Sequence, residues 1–246
     1  MTFMLLPLLP DRTVDPWNVL NPHSLWLMTV LIAAVSFVGY AIVKLAGPRT
    51  GLVLAAVLGG IFASTAVTLS LARMARENSD HVRLLTGGIL AAGCIMFLRV
   101  LAVTALLNPQ LSLAVAPVLL VSAVTMGGFA FVFVTSSSNA DDSADKKFAL
   151  KNPFDISEVL RFGALLAIVT LAVTLARNQS GDYGVLAVAA ISGLVDVDAI
   201  TLSVARFGEV SVIAVNAILA AVAMNTLAKG VYAWLVGGMR LGLLTI

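Results

Sequence analysis

Charge is scarce in this chain. Of its 246 residues 11% are Asp, Glu, Lys or Arg, against 60% hydrophobic, and the mean hydropathy is +1.02. A soluble domain carries about a quarter charged residues, so an extensive water-facing surface is excluded. Cysteine occurs once, as Cys94, which excludes an intramolecular disulfide. It sits in an apolar run and reads as a small buried side chain. The two histidines, His23 and His81, have no second His or Cys at ligand spacing, so surface or interfacial roles are expected in place of a zinc centre. The 15 basic and 13 acidic residues are spread along the chain and give a net charge of +2, so no nucleic-acid-binding patch arises. No Ser-His-Asp or Cys-His set of plausible depth is present, and neither enzymatic catalysis nor a resident cofactor is expected. The glycine pairs beginning at 87, 127 and 237 match no phosphate-binding pattern and read as points of close helix packing. The first nine residues, MTFMLLPLL, lack the basic segment of a signal peptide, and PDRTVDPWNVLNP follows in place of a small-residue cleavage site.

Long apolar runs are what the chain has. They are continuous and do not alternate, which favours helices over a membrane barrel. The expected fold is therefore an all-α polytopic membrane protein whose main surroundings are the lipid bilayer. Seven runs reach the length of about 20 residues that a crossing needs. They fall near 24 to 45, 51 to 73, 84 to 107, 111 to 135, 160 to 177, 183 to 206 and 211 to 237. A polar stretch, SSSNADDSADKKFALKNPFD, separates the fourth from the fifth. The expected organisation is an N-terminal repeat over 1 to 135 with about four spans, a cytoplasmic linker over 136 to 153, and a C-terminal repeat over 154 to 246 with about three. With seven crossings, one face gathers Arg12, Arg73, Arg76, Arg83, Lys146, Lys147, Lys151, Arg161 and Arg206, while the other gathers Lys44, Arg49, Arg177 and Arg240. The excess of positive charge places the N-terminus in the cytoplasm.

The two halves resemble each other. Set 133 positions apart, GLVLAAVLGGIFASTAVTLSLAR (51 to 73) and GVLAVAAISGLVDVDAITLSVAR (184 to 206) are identical at nine of 23 positions. Gly60 falls on Gly193, Thr68 on Thr201, Ser70 on Ser203 and Arg73 on Arg206. Asn21-Pro22 and Asn152-Pro153 each precede a span, and ILAA recurs at 89 and 218. Transporters commonly hold their substrate at the interface of such repeats, near the bilayer midplane. Four crossings per repeat make the halves parallel, which the charge distribution favours; a re-entrant run would invert them.

Asp196 and Asp198 stand about midway along the sixth run. A charge at that depth costs about 2.5 kcal/mol or more unless a partner, an ion or protonation offsets it. Residues two apart on a helix point about 200° away from each other, so one continuous helix could not aim both at a single site. An unwound segment could, and Ser192-Gly193 just before it, matched by Gly59-Gly60 in the first half, would permit a broken helix in each repeat. The equivalent first-half positions are Ala63 and Thr65, flanked by Ser64. An ion site is expected in which Asp196 and Asp198 hold a proton or a hard metal cation, with Ser64, Thr65, Thr68, Thr201, Ser203 and Asn225 along the path. The competing structural reading pairs the aspartates with Arg99, Lys229 or Arg206 to fix helix packing. Asn225 and Lys229 lie one turn apart and share a face.

At DPWNVLNPHSLW, GGIFASTAVTLSLAR, SGLVDVDAITLSVAR and NTLAKG the chain resembles a bacterial membrane domain of unknown function that commonly forms the C-terminal part of MgtC/SapB-type proteins. The resemblance runs from about residue 8 to near the end and lacks the MgtC-like half. It implies a stand-alone version, or one half of a split pair, in a bacterial cytoplasmic membrane. It makes Ser64, Thr65, Thr68, Asp196, Asp198, Thr201, Ser203, Arg206, Asn225 and Lys229 the family-typical polar positions, and hints at magnesium physiology. The leading functional expectation is an ion transporter or channel for a divalent cation such as magnesium. An anion channel using Lys229 and Arg99, and a non-transporting regulatory membrane partner, are the alternatives. Compact helical units of this size often associate, so a homodimer is expected.

Overall fold

Regular structure is helical throughout the described residues, as an apolar medium requires when no water takes up backbone N–H and C=O groups. The computed structural model describes residues 9–14, 21–27, 30, 52–77, 81–136, 156–206 and 211–245. Its helices are α1 (Leu52–Glu77), α2 (Val82–Leu107), α3 (Pro109–Thr135), α4 (Ile156–Val195), α5 (Val197–Ala205), α6 (Val212–Gly237) and α7 (Met239–Thr245). Three of them, α2, α3 and α6, are long and apolar enough to cross a membrane. The expected first span at 24 to 45 and the linker at 136 to 153 lie almost wholly outside the described residues.

Local chemistry sets the ends of these helices. Between α2 and α3, Asn108 accepts the N–H of Leu111 at 3.0 Å through its side-chain oxygen, while Pro109 occupies the first helical position. Proline fits there because its missing N–H would have had no partner within the helix. The α3 helix contains no charged residue, and Leu113, Val121, Val124, Phe129 and Phe131 stand exposed along it, a surface suited to acyl chains.

A reversal interrupts α4. Gly181 adopts φ 58 and ψ −140, a region that side chains rarely enter, and Arg177 to Tyr183 around it are exposed. The chain folds back so closely that a Cβ on Gly184 would meet the carbonyl carbon of Ala176 at 2.8 Å. Leu166, Val169 and Val173 on the outgoing limb are buried, as are Val185 and Ala189 on the returning limb. The runs expected at 160 to 177 and 183 to 206 are thus joined as a helical hairpin.

The chain forms two compact units. One comprises Met1–Val35, Ala102–Val115 and Asn152–Asn225, and the other Ser36–Leu101, Ala116–Lys151 and Thr226–Ile246. The second has a core of Ala56, Leu71, Ala72 and Ala75 from α1 with Leu85, Ile89 and Ala92 from α2, Ala233 from α6 and Leu241 from α7. Small residues let the backbones approach: a Cβ on Gly60 would lie 2.8 Å from the Cα of Ala92, and one on Gly237 would lie 3.2 Å from that of Ala72. Lipid gives helices no hydrophobic reason to associate, so dispersion at such close contacts carries the packing.

One expectation is corrected here. A break was expected at Gly59-Gly60, yet α1 runs unbroken from Leu52 to Glu77. Gly60 serves the contact with Ala92 and not a change of backbone direction. No side chain at Ala63 competes for the helix's own N–H groups, as the aspartate at the aligned position does below.

Replacing Gly181 by Ala should destabilise the hairpin by about 1–3 kcal/mol. Gly128, with open space around it, should accept Ala without loss. Thermal midpoints in detergent, followed by circular dichroism, check both.

Candidate functional site

The sixth apolar run contains the break that the sequence led us to expect, and its cause is Asp196. This residue separates α4 from α5 with an extended backbone, φ −154 and ψ 132. Its own N–H still donates to the Ser192 carbonyl at 2.8 Å, so the helix continues up to this point. Its side-chain Oδ1 then accepts the N–H of Asp198 at 2.6 Å, the bond that starts a new helix. Negative charge beside the amino end of α5 is favourable because the helix dipole places partial positive charge there.

An extended residue leaves the preceding carbonyls without their usual donors. In a continuous helix the Gly193 carbonyl would accept the N–H of Val197. Here the Asn225 side-chain amide donates to it at 2.7 Å, and Asn225 is only 3% exposed. The approach depends on Gly193, whose added Cβ would come within 2.7 Å of the Cα of Ala221. Glycine and asparagine together make the break tolerable in an apolar setting.

The unwound stretch is shorter than expected. It is one residue long, so the aspartates do not present themselves as neighbours on a strand would. Asp196 is half-buried and caps the helix, whereas Asp198 lies inside the first turn of α5 and is 3% exposed. Thr201, one turn beyond Asp198 on the same face, is fully buried, and its hydroxyl makes no hydrogen bond among the described residues. Ser203 donates to the Ala199 carbonyl at 2.8 Å, which leaves Thr170 to donate to Ser203 across 2.7 Å. Thr170 was missed in the sequence; a lone hydroxyl within the apolar run at 164 to 173 was its only signal. Arg206 is half-buried and closes α5.

The remaining expected residues belong to the other unit. Arg99 donates from Nη1 to the Ile61 carbonyl of α1 at 2.9 Å. Lys229, 5% exposed, places Nζ 2.9 Å from the thioether sulfur of Met96 and lines a cleft with Gly93, Met126, Thr226 and Thr245. Ser64 and Thr68 are buried, the Thr68 hydroxyl donating to the Ser64 carbonyl at 2.9 Å. Thr65 is half-buried and Arg73 exposed. The polar positions expected around one site are therefore divided: Asp196, Asp198, Thr201, Ser203, Arg206 and Asn225 in the first unit, Ser64, Thr65, Thr68, Arg73, Arg99 and Lys229 in the second. Among the described residues no group of three or more His, Cys, Asp or Glu side chains gathers as metal ligands.

A family model described as "Domain of unknown function (DUF4010)" matches residues 30–237. The chain belongs to the DUF4010 family. The match takes in the α4–α5 break and the twelve polar positions just divided between the two units. A relative in Aquifex aeolicus (strain VF5), described as an uncharacterized protein, is 31% identical over 194 residues, covering 77% of this chain and 84% of the relative. No solved structure matches the chain. Neither similarity carries a link between this DUF4010 chain and MgtC/SapB-type proteins.

Asn225→Leu should leave the Gly193 carbonyl without its donor and destabilise the protein by about 1–3 kcal/mol. A thermal midpoint equal to that of the unsubstituted protein would show that the amide does not hold the break.

Proposed function

We propose that this DUF4010 chain is a multi-pass ion transporter or channel of a bacterial cytoplasmic membrane, with its N-terminus in the cytoplasm and its ion site at the α4–α5 break. The observation that carries this reading is Asp198, a carboxylate 3% exposed in the first turn of a helix that restarts within an apolar run. Ionisable side chains are kept inside membrane segments at a cost of several kcal/mol, and their usual return is an ion or proton pathway. A discontinuous helix supports the reading further. Its carboxyl end offers carbonyl oxygens and its amino end offers N–H groups, the two kinds of partner an ion exchanges for water.

The two-repeat organisation belongs to the same proposal. Gly60 and Gly193 fall on each other when the halves are aligned, and each packs on the last alanine of a recurring ILAA, Ala92 and Ala221. Each lies within its own unit, and the shared small-residue contact supports a common origin. If both carboxylates ligate the ion, a divalent cation such as magnesium suits the site, in keeping with the MgtC/SapB resemblance.

One observation favours a second reading. Lys229 brings a buried ammonium to the cleft beside Gly93 and Thr226, and a buried positive charge can select anions. Ion flux into liposomes distinguishes the two, screened over Mg²⁺, Mn²⁺, Ca²⁺, Na⁺, H⁺ and Cl⁻. Asp198→Asn should abolish cation flux and leave the protein folded; cation flux unaffected by that substitution would sink the first reading. Chloride flux lost with Lys229→Met would establish the second.

A further inference from the structure

The hydroxyls of Thr170 and Ser203 meet at 2.7 Å, and that bond constrains the course of the chain after Asp196. The two limbs of α4 run antiparallel from the reversal at Gly181, with Gly184 against Ala176. At about 1.5 Å per residue on each limb, Thr170 lies level with Ala190. Were α5 to continue in the direction of the returning limb, Ser203 would stand about 20 Å past Thr170. Two short side chains cannot bridge that distance. If the chain doubles back at Asp196, Ser203 returns to within about 2 Å of the level of Thr170. The extended backbone at Asp196 allows the axis to change direction there, and α5 packs against α4 with every one of its residues buried.

Lengths agree with a reversal. The returning limb, from Asp182 to Val195, and α5 are each shorter than the about 20 residues that a crossing needs. The tip at Asp196 lies about 22 Å from the level of Gly181, inside a hydrocarbon layer about 30 Å thick. In the second unit, Gly237 at the end of α6 packs on Ala72 near the end of α1, so these two helices end on one side of the membrane. Seven crossings put Arg73 and Arg240 on opposite faces; without a crossing at 183 to 206 they share one. Arg206 and Arg240 then exchange faces, so the excess of positive charge on the cytoplasmic side is unchanged.

Exposure shows how the tip is approached. Ser192 and Gly193 are buried, as is all of α5, whereas Leu194 and Val195 are exposed and Asp196 is half-buried. The carboxylate of Asp196 is therefore open ahead of the tip and closed behind it. We infer that residues 182–206 form a re-entrant hairpin, which enters the membrane from the Gly181 side, turns at Asp196 and leaves by the same side, with the break approached from the opposite side. The course of the chain stands on geometry alone, and the passage of an ion to the break rests on the ion-site reading above.

Disulfide cross-linking tests the reversal. In a chain carrying Cys94→Ala, Thr170→Cys with Ser203→Cys should join on oxidation in membrane vesicles, so that the fragments trypsin makes at the exposed Arg177 stay together until reduced. Fragments that separate without reduction, in a double variant with helical circular dichroism, would overturn the hairpin. A second measurement uses Tyr183→Cys and Val212→Cys, both strongly exposed, in the same background. Both thiols should react with a membrane-impermeant maleimide from one and the same side, compared in right-side-out and inverted vesicles, with labelling in detergent to establish that each is reachable. Reaction from opposite sides would overturn the hairpin. Val195→Cys should react with a water-soluble thiosulfonate from the side opposite Gly181, and reaction only from the Gly181 side, or from neither, overturns the direction of approach. No readout here needs ion flux, so a chain that cross-links and labels as expected but carries no ion overturns transport alone, and flux through a chain whose Tyr183→Cys and Val212→Cys thiols label from opposite sides overturns the hairpin alone.

Discussion

In an apolar medium every peptide group must find its partner within the protein, and around Asp196 the helix by itself does not supply one. There a carboxylate takes the N–H of Asp198, the backbone turns extended, and the Gly193 carbonyl passes to the amide of Asn225. The rest of the site follows from this exchange. Gly193 must lack a side chain so that Ala221 and Asn225 can come close, and α5 must begin with Asp198 buried in its first turn.

The comparison of α1 with the α4–α5 segment isolates the cause. Both carry a glycine packed on an alanine of a neighbouring helix, Gly60 on Ala92 and Gly193 on Ala221. Both have a polar side chain donating to a carbonyl at or next to that glycine, Arg99 to Ile61 and Asn225 to Gly193 itself. Only one is broken. The difference lies at the aligned pair Ala63 and Asp196, because a methyl group cannot compete for a backbone N–H and a carboxylate can. Close packing and helix breaking are therefore separate devices, and glycine alone supplies only the first.

The same contrast explains which parts of the site could be read in advance. Depth in an apolar run placed Asp196 and Asp198 correctly as anomalies, and the neighbouring glycine marked the region of the break. Their division of labour was not legible. Spacing alone treats two aspartates alike, whereas the structure gives one a cap to hold and encloses the other. The bond between Thr170 and Ser203, and the seat of Lys229 beside Met96, were invisible for a related reason: each joins segments at least 33 residues apart.

By itself the sequence determined the helical class, the suitability of long runs for lipid and the presence of two carboxylates within an apolar run. These are local properties, set by side-chain polarity and backbone preference within about one span. Tertiary structure alone decided that α1 stays whole, that Asn225 answers Gly193, that Asp198 and not Asp196 is enclosed, and that the Thr201 hydroxyl is left unsatisfied. Burial and hydrogen-bond completion are relations between distant segments, and no window of sequence contains both partners.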